Sequence, residues 1–156
     1  MLKDDVIMFE KVKLNEEPPM DLLLLDDPSY QRVMEHLKSG ICMVYKEDNC
    51  ILGSYILVML DSERIKLVNI AVKASKQGGV IGKKLLDHAI AYATENQFKE
   101  MIVGTGNSSI NQIAFYQKAG FRLIDVIFDF FIQDNEAPIY ENGVWCRDML
   151  RFKKQL

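Results

Sequence analysis

Apolar residues fall into two rhythms along this chain, and the change from one to the other predicts its elements. Val6 to Leu14 alternates, with Val6, Met8, Glu10 and Val12 against Ile7, Phe9, Lys11 and Lys13. That pattern predicts an edge strand, stopped by Glu16-Glu17-Pro18-Pro19. Leu22 to Leu25 is apolar but too short to assign. Asp27-Pro28 predicts a helix start, with Asp27 as N-cap and Pro28 at the first helical position. The helix runs to about Lys38, and Gly40 suits the position just past its end. Ile41 to Tyr45 and Ile51 to Leu60 are solid apolar runs around a polar Lys46-Glu47-Asp48-Asn49, which predicts a hairpin. Arg64 to Val72 predicts a further strand.

Ser75-Lys76-Gln77-Gly78-Gly79 then breaks the chain, and the period changes. Ile81, Leu85, Leu86, Ala89, Ile90 and Ala93 mark one face of a helix ending near Asn96. Glu100 to Thr105 predicts a strand. Gly106-Asn107-Ser108-Ser109 supplies N-cap chemistry for a helix that Gly120 ends. In that helix Ile110, Ile113, Ala114 and Gln117 form the expected buried stripe, with Asn111 and Tyr116 off it. Phe121 to Ile132 and Gly143 to Phe152 predict two last strands, joined by a polar loop through Pro138. The order β-α-α-β-β-β-α-β-α-β-β predicts a single α/β or α+β domain over residues 1–156, with a mixed sheet.

Composition narrows the function. The chain has 156 residues, 49% hydrophobic and 26% charged, as a globular domain does. A net charge of −3 gives no basic excess for binding nucleic acid. The richest apolar stretch, Ile51 to Leu60, is half a bilayer span and holds Gly53 and Ser54, so no membrane anchor is predicted. Cys42, Cys50 and Cys146 are odd in number and lack CxxC or Cys/His metal spacing. They read as reduced thiols of a cytoplasmic protein, and no metal site is expected.

Between a predicted strand and a predicted helix stands Gln77-Gly78-Gly79-Val80-Ile81-Gly82-Lys83. Glycines permit a sharp turn and close backbone approach. The N–H groups and dipole of the following helix favour an anion. From Lys73 to Leu86 the charged residues are Lys73, Lys76, Lys83 and Lys84, with no acid. A Walker loop fails, because it needs glycine at Gln77 and Ser/Thr at Lys84. A dinucleotide GxGxxG fails at Gln77 as well.

These residues carry a resemblance. Gln77-Gly78-Gly79-Val80-Ile81-Gly82 is similar to the [Gln/Arg]-x-x-Gly-x-[Gly/Ala] pyrophosphate loop of the GNAT superfamily of acetyl-CoA-dependent N-acetyltransferases. That loop lies between the family's fourth strand and third helix. Asn111, Ala114, Phe115, Tyr116, Gly120 and Phe121 fit the family's later Asn and Ala-x-x-[Phe/Leu]-Tyr-x-x-x-Gly-Phe signature. Asn69-Ile70-Ala71-Val72 and Gly104 to Ser109 resemble a subgroup of small bacterial members. The resemblance is strong over about Lys66 to Arg122, and the element order agrees over nearly the whole chain. It implies a mostly antiparallel sheet of about seven strands flanked by about four helices.

The resemblance also implies roles. Ile70, Ala71 and Val72 offer backbone groups to the pantetheine arm like an added strand. Gln77, Gly78, Gly79, Val80, Ile81, Gly82 and Lys83 cradle the pyrophosphate. Asn111 hydrogen-bonds the pantetheine. Tyr116 sits near the thioester sulfur and protonates the leaving thiolate. Asn69 and Asp129 are expected on the acceptor side, and small relatives imply a homodimer. The sequence departs from the family twice. Its middle loop glycine is Val80, so either Gly79 adopts the special conformation or cofactor binding is weakened. The fourth strand also lacks the acid many relatives use to deprotonate the amine, with Glu63 only at its start, so the base is open.

The implied reaction moves acetyl from acetyl-CoA to an amine of a small molecule or protein. An amine of pKa about 10.4 is neutral in roughly one molecule per few thousand at pH 7, so deprotonation costs about 4–5 kcal/mol. The region Leu123 to Asp148 holds Asp125, Asp129, Asp134, Glu136, Glu141 and Asp148 against Arg147 alone. It is either a solvated acidic face or an attractor for a cationic amine. Asp129 stands out because it interrupts an aromatic run, Phe128-Asp129-Phe130-Phe131. The rival class is a CoA-binding sensor or interaction module on the same fold, with its chemistry lost. Val80 and the missing strand acid favour that rival, whereas Asn111 and Tyr116 favour the enzyme.

Overall fold

The computed structural model describes residues 8–132 and 136–156; Val6 and Ile7 of the expected first strand, and Asp134, lie outside them. The strands are β1 (Phe9–Lys11), β2 (Ile41–Glu47), β3 (Cys50–Met59), β4 (Arg64–Val72), β5 (Glu100–Gly106), β6 (Arg122–Ile127), β7 (Tyr140–Glu141), β8 (Val144–Trp145) and β9 (Met149–Gln155). The helices are α1 (Met20–Asp26), α2 (Tyr30–Ser39), α3 (Ile81–Glu95) and α4 (Ile110–Lys118), with a 3-10 turn at Ala74–Lys76. Seven strands form one sheet in the order β1-β2-β3-β4-β5-β9-β6, and β7 pairs with β8 apart from it. Neighbours in the large sheet are antiparallel, except that β4 and β5 run parallel.

The solid apolar runs of β2 and β3 follow from helices on both faces of the sheet. On one face Leu85, Leu86, Ala89 and Ala93 of α3 pack with Tyr45, Tyr55, Leu67, Met101 and Phe152. On the other, Leu23 of α1 and Val33 of α2 pack with Cys42 and Ile56. Truncating a fully buried side chain such as Leu85 is expected to cost about 2–5 kcal/mol.

Four expectations are corrected. Asp27 is not an N-cap. It ends α1 in an extended conformation, as a residue before proline prefers. Ser29 caps α2 instead, its hydroxyl accepting from Arg32 N at 3.2 Å, while Asp27 pairs with the Arg32 guanidinium at 2.6 Å. Ser109 stands at the N-cap of α4, but its side chain does not cap; its hydroxyl donates to Glu141 at 3.2 Å. The stripe on α4 is also rotated. Ile110 is half exposed and Tyr116 is buried, because the Tyr116 ring packs against Phe121 and Phe152. Finally, the last two strands are shorter than their apolar runs. β6 stops at Ile127, where Phe128 to Phe131 turns with Asp129 at φ 60°, and the chain forms the β7–β8 hairpin before β9.

One irregularity positions the site. Pairing of β4 with β5 runs from Arg64–Glu100 to Leu67–Val103 and stops. Just there the register with β3 shifts, Ile56 facing Asn69 but Leu57 facing Leu67, so Val68 is a bulge. Beyond it Asn69 to Val72 stays paired to β3 while β5 departs. The two parallel strands therefore open into a V.

Candidate active site

A cleft of about 720 Å³ lies along β4 beyond the point where β5 departs. Ile70, Ala71 and Val72 of β4 line it, with Lys76, Gln77, Gly78, Gly79, Gly82 and Lys83 from the following turn. Asn111, Gln112 and Phe115 of α4 face them, and Leu25 and Asp26 of α1 and Glu141 of β7 complete the wall. Most of the cofactor residues expected from the sequence are thus brought together. Three stand apart: Ile81 is buried in the core, Val80 is 66% exposed outside the lining, and Tyr116 is buried outside it as well.

The turn has the features an anion needs. Gly78 has φ +81°, a conformation costly for any residue with a Cβ. The Gln77 side-chain amide donates to Val72 O at 3.1 Å and ties the turn to the strand. No side chain caps α3, so the N–H groups of its first turn carry the positive end of the helix dipole uncovered. Lys76 and Lys83 stand beside them; Lys83 also pairs with Asp87 at 2.8 Å. These groups suit a diphosphate. Val80 sits at φ −93°, ψ −7°, ordinary for valine. The special conformation belongs to Gly78 rather than Gly79, and the valine imposes no backbone strain.

Tyr116 stands behind Phe115, 4% exposed and outside the lining. Burial pushes its phenol well above the usual tyrosine range, and the charge of Asp26 adds to this. Asp26 was missed by sequence reasoning. It ends α1, open to solvent along the cleft yet enclosed by protein elsewhere. That enclosure pushes its carboxyl up to about 7, against a hydrogen bond from Ile70 N–H, while the nearby charge of Asp27 raises it further. Its only sequence signal was an acid pair after an unassigned apolar run; the fold alone carries it to the strand gap.

Asn69 is fully buried. Its Nδ2 donates to Leu23 O at 3.0 Å, and its Oδ1 has no hydrogen-bond partner among the described residues. It therefore holds the last turn of α1 against β4. Gln112, also missed, lines the cleft, and its buried Oε1 has no hydrogen-bond partner among the described residues. Asp129 lies outside the lining, on the turn after β6, and pairs with Arg147 at 2.9 Å. Arg147 in turn covers the Trp145 ring at 4.0 Å. Asp125 pairs with Arg151. Glu141 accepts from the Ser108 and Ser109 hydroxyls at 3.1 and 3.2 Å. The acidic stretch is therefore largely tied to neighbours. Across α1, and sharing Leu25, lies a second groove of about 680 Å³ lined by Pro18, Met20, Tyr30, Met34 and Ile51 with Glu17 and Asp21.

Comparison with known proteins agrees with this geometry. The model of the acetyltransferase (GNAT) family matches residues 9–121. The chain is 41% identical over 144 residues to the uncharacterised N-acetyltransferase YvbK of Bacillus subtilis (strain 168), covering 90% of this chain and 93% of that protein. A GNAT family acetyltransferase from Elizabethkingia anophelis, solved with acetyl-CoA bound, superposes with a TM-score of 0.91 at 38% identity, over 95% of this chain and 97% of that one. An IAA acetyltransferase from Bacillus cereus ATCC 14579 gives 0.89 at 40% identity, over 95% and 98%. No helix among the described residues is long and apolar enough to cross a membrane. With an opened β4 edge leading onto an uncapped helix turn, the chain belongs to the GNAT acetyltransferase family, an enzyme whose acetyl donor is acetyl-CoA.

Proposed function

We propose that residues 1–156 act as one N-acetyltransferase unit, moving acetyl to a primary amine of a small molecule or protein by direct attack. Bound acetyl-CoA supplies an acetyl group activated as a thioester. The observation that carries the reading is the run from the β4 edge that β5 leaves, Ile70 to Val72, into the uncapped first turn of α3. In this reading the β4 peptide groups hold the pantetheine arm. Gln77 to Lys83, with Val80 and Ile81 contributing backbone, hold the diphosphate. Asn111, with Gln112 beside it, orients the arm. Asn69 serves the acceptor side through α1, whose last turn it anchors, and Asp129 serves it through Arg147.

Tyr116 is the proton donor to the departing thiolate. Its raised pKa keeps it protonated at neutral pH. A thiol of pKa about 8.5 is a stronger acid than this phenol, so proton transfer alone is uphill. It proceeds because attack makes the amine nitrogen strongly acidic, and a nitrogen proton replaces the one Tyr116 gives. A thiol-release assay with acetyl-CoA and a panel of tyramine, spermidine and an alanine-leading peptide tests the reading. Saturable release with an amine is expected, and none with any amine contradicts it.

The free thiols of Cys42, Cys50 and Cys146 support a cytoplasmic setting. Exposed apolar side chains on and after β6, Leu123, Ile124, Phe128 and Phe130, support a homodimer. Light scattering at the mass of one chain would contradict it.

A further inference from the structure

We propose that Asp26 is the general base of this reaction, taking the ammonium proton of the acceptor amine where β4 and β5 part. The proposal rests on the acetyl-transfer reading above. β4 carries no acid in this stretch, and the fold supplies one from another element. The last turn of α1 lies against β4, held by Asn69 Nδ2 on Leu23 O at 3.0 Å. This places the Asp26 carboxylate in the cleft wall, accepting from Ile70 N–H and open to whatever enters. Among the described residues the other acid lining the cleft is Glu141, engaged by two serine hydroxyls.

The charged and titratable surroundings fit the task. Asp27 is the neighbouring acid on its own element, Tyr116 lies buried on α4 within reach of its charge, and Lys76, Lys83 and Glu141 lie around the same cleft. A general base works best with a pKa near the operating pH, and the carboxyl stands at about 7. Ionised Asp26 also raises the pKa of Tyr116, so the state in which the base is ready is the state in which the phenol keeps its proton.

The protons balance. An acceptor ammonium loses two on becoming an amide. The first goes to the Asp26 carboxylate and then to water. The N–C bond forms as the C–S bond breaks, Tyr116 gives its proton to sulfur, and the second nitrogen proton restores the phenol. Free thiol, amide and one released proton result.

The test compares wild type, Asp26→Asn and Asp26→Glu with the same three amines between pH 6 and 9.5, with acetyl-CoA affinity measured by calorimetry. Asp26→Asn is expected to lose about 10²–10⁴-fold in kcat at pH 7 with tyramine and spermidine, and only about tenfold with the peptide, whose α-amine of pKa about 8 is already partly neutral, with acetyl-CoA affinity changed under about threefold. The loss should shrink about tenfold per pH unit toward the amine's own pKa, because free amine then needs no base. Asp26→Glu should recover part of the rate and a limb near neutrality. A kcat within threefold of wild type, or a loss constant across pH, overturns the proposal. Should no amine react with wild type, the acetyl-transfer reading fails. Asp26 is then judged by the carbon-13 titration of its carboxyl with CoA bound. A midpoint near 7 upholds a poised base, and one below 5 overturns it.

Discussion

On the β4–α3 side the cleft offers mainly peptide groups: a strand edge that β5 has left, a glycine at φ +81° and an uncapped helix turn. On the α1 and α4 side it offers side chains: Asp26, Asn111, Gln112 and, one layer behind, Tyr116. The first wall is fixed before any ligand arrives, because backbone geometry sets it. The second depends on which side chains the packing of separate helices carries to one place. In the proposed function donor binding belongs to the first wall and proton movement to the second, so substitutions in the two should fail differently.

The largest effect is expected on the proton wall. Tyr116→Phe removes only an oxygen from a buried ring and should lower kcat by about 10–10⁴-fold. A kcat equal to wild type in steady-state assays removes Tyr116 from that role. On the backbone wall, Gly78→Ala forces a Cβ into the left-handed region, worth about 1–2 kcal/mol. Acetyl-CoA affinity by calorimetry should fall about 5–30-fold, with the rate at saturation nearly kept. Val80→Gly should leave affinity within about twofold, since Val80 already has an ordinary helical conformation.

A stability measurement sharpens the same contrast. The Asp26 carboxyl is raised in the fold to about 7 from an ordinary 3.8. The folded protein thus holds this proton more tightly than the unfolded chain. The resulting stability is full below about pH 4 and is lost as pH rises through 7. Asp26→Asn should therefore raise the melting temperature by about 1–3 °C at pH 8, with the gain fading toward pH 4. A melting temperature lowered equally at both pH values would make Asp26 a structural residue.

Legibility in the sequence follows the same division. The Gln77–Lys83 turn was readable because glycines at fixed spacing between a strand and a helix report backbone needs directly. The sheet and α3 were readable because their apolar periods are long. Asp26 was not, because α1 is seven residues long and nothing local says which strand its end will meet. Tyr116 was known from its motif, but its burial was not, since Phe121 and Phe152 rotate the stripe of α4 away from its local pattern. The short β6 escaped for a similar reason. Phe128 to Phe131 is apolar enough to extend a strand, yet Asp129 turns the chain and pairs with Arg147, eighteen residues on.

The most direct test of this division measures acetyl-CoA dissociation and single-turnover acetyl transfer together in Gly78→Ala and Tyr116→Phe. Gly78→Ala should bind several-fold more weakly and, once saturated, react at close to the wild-type rate. Tyr116→Phe should bind within about threefold of wild type and react at least tenfold more slowly. The reverse assignment, with Tyr116→Phe binding poorly but turning over normally once saturated, would contradict the account.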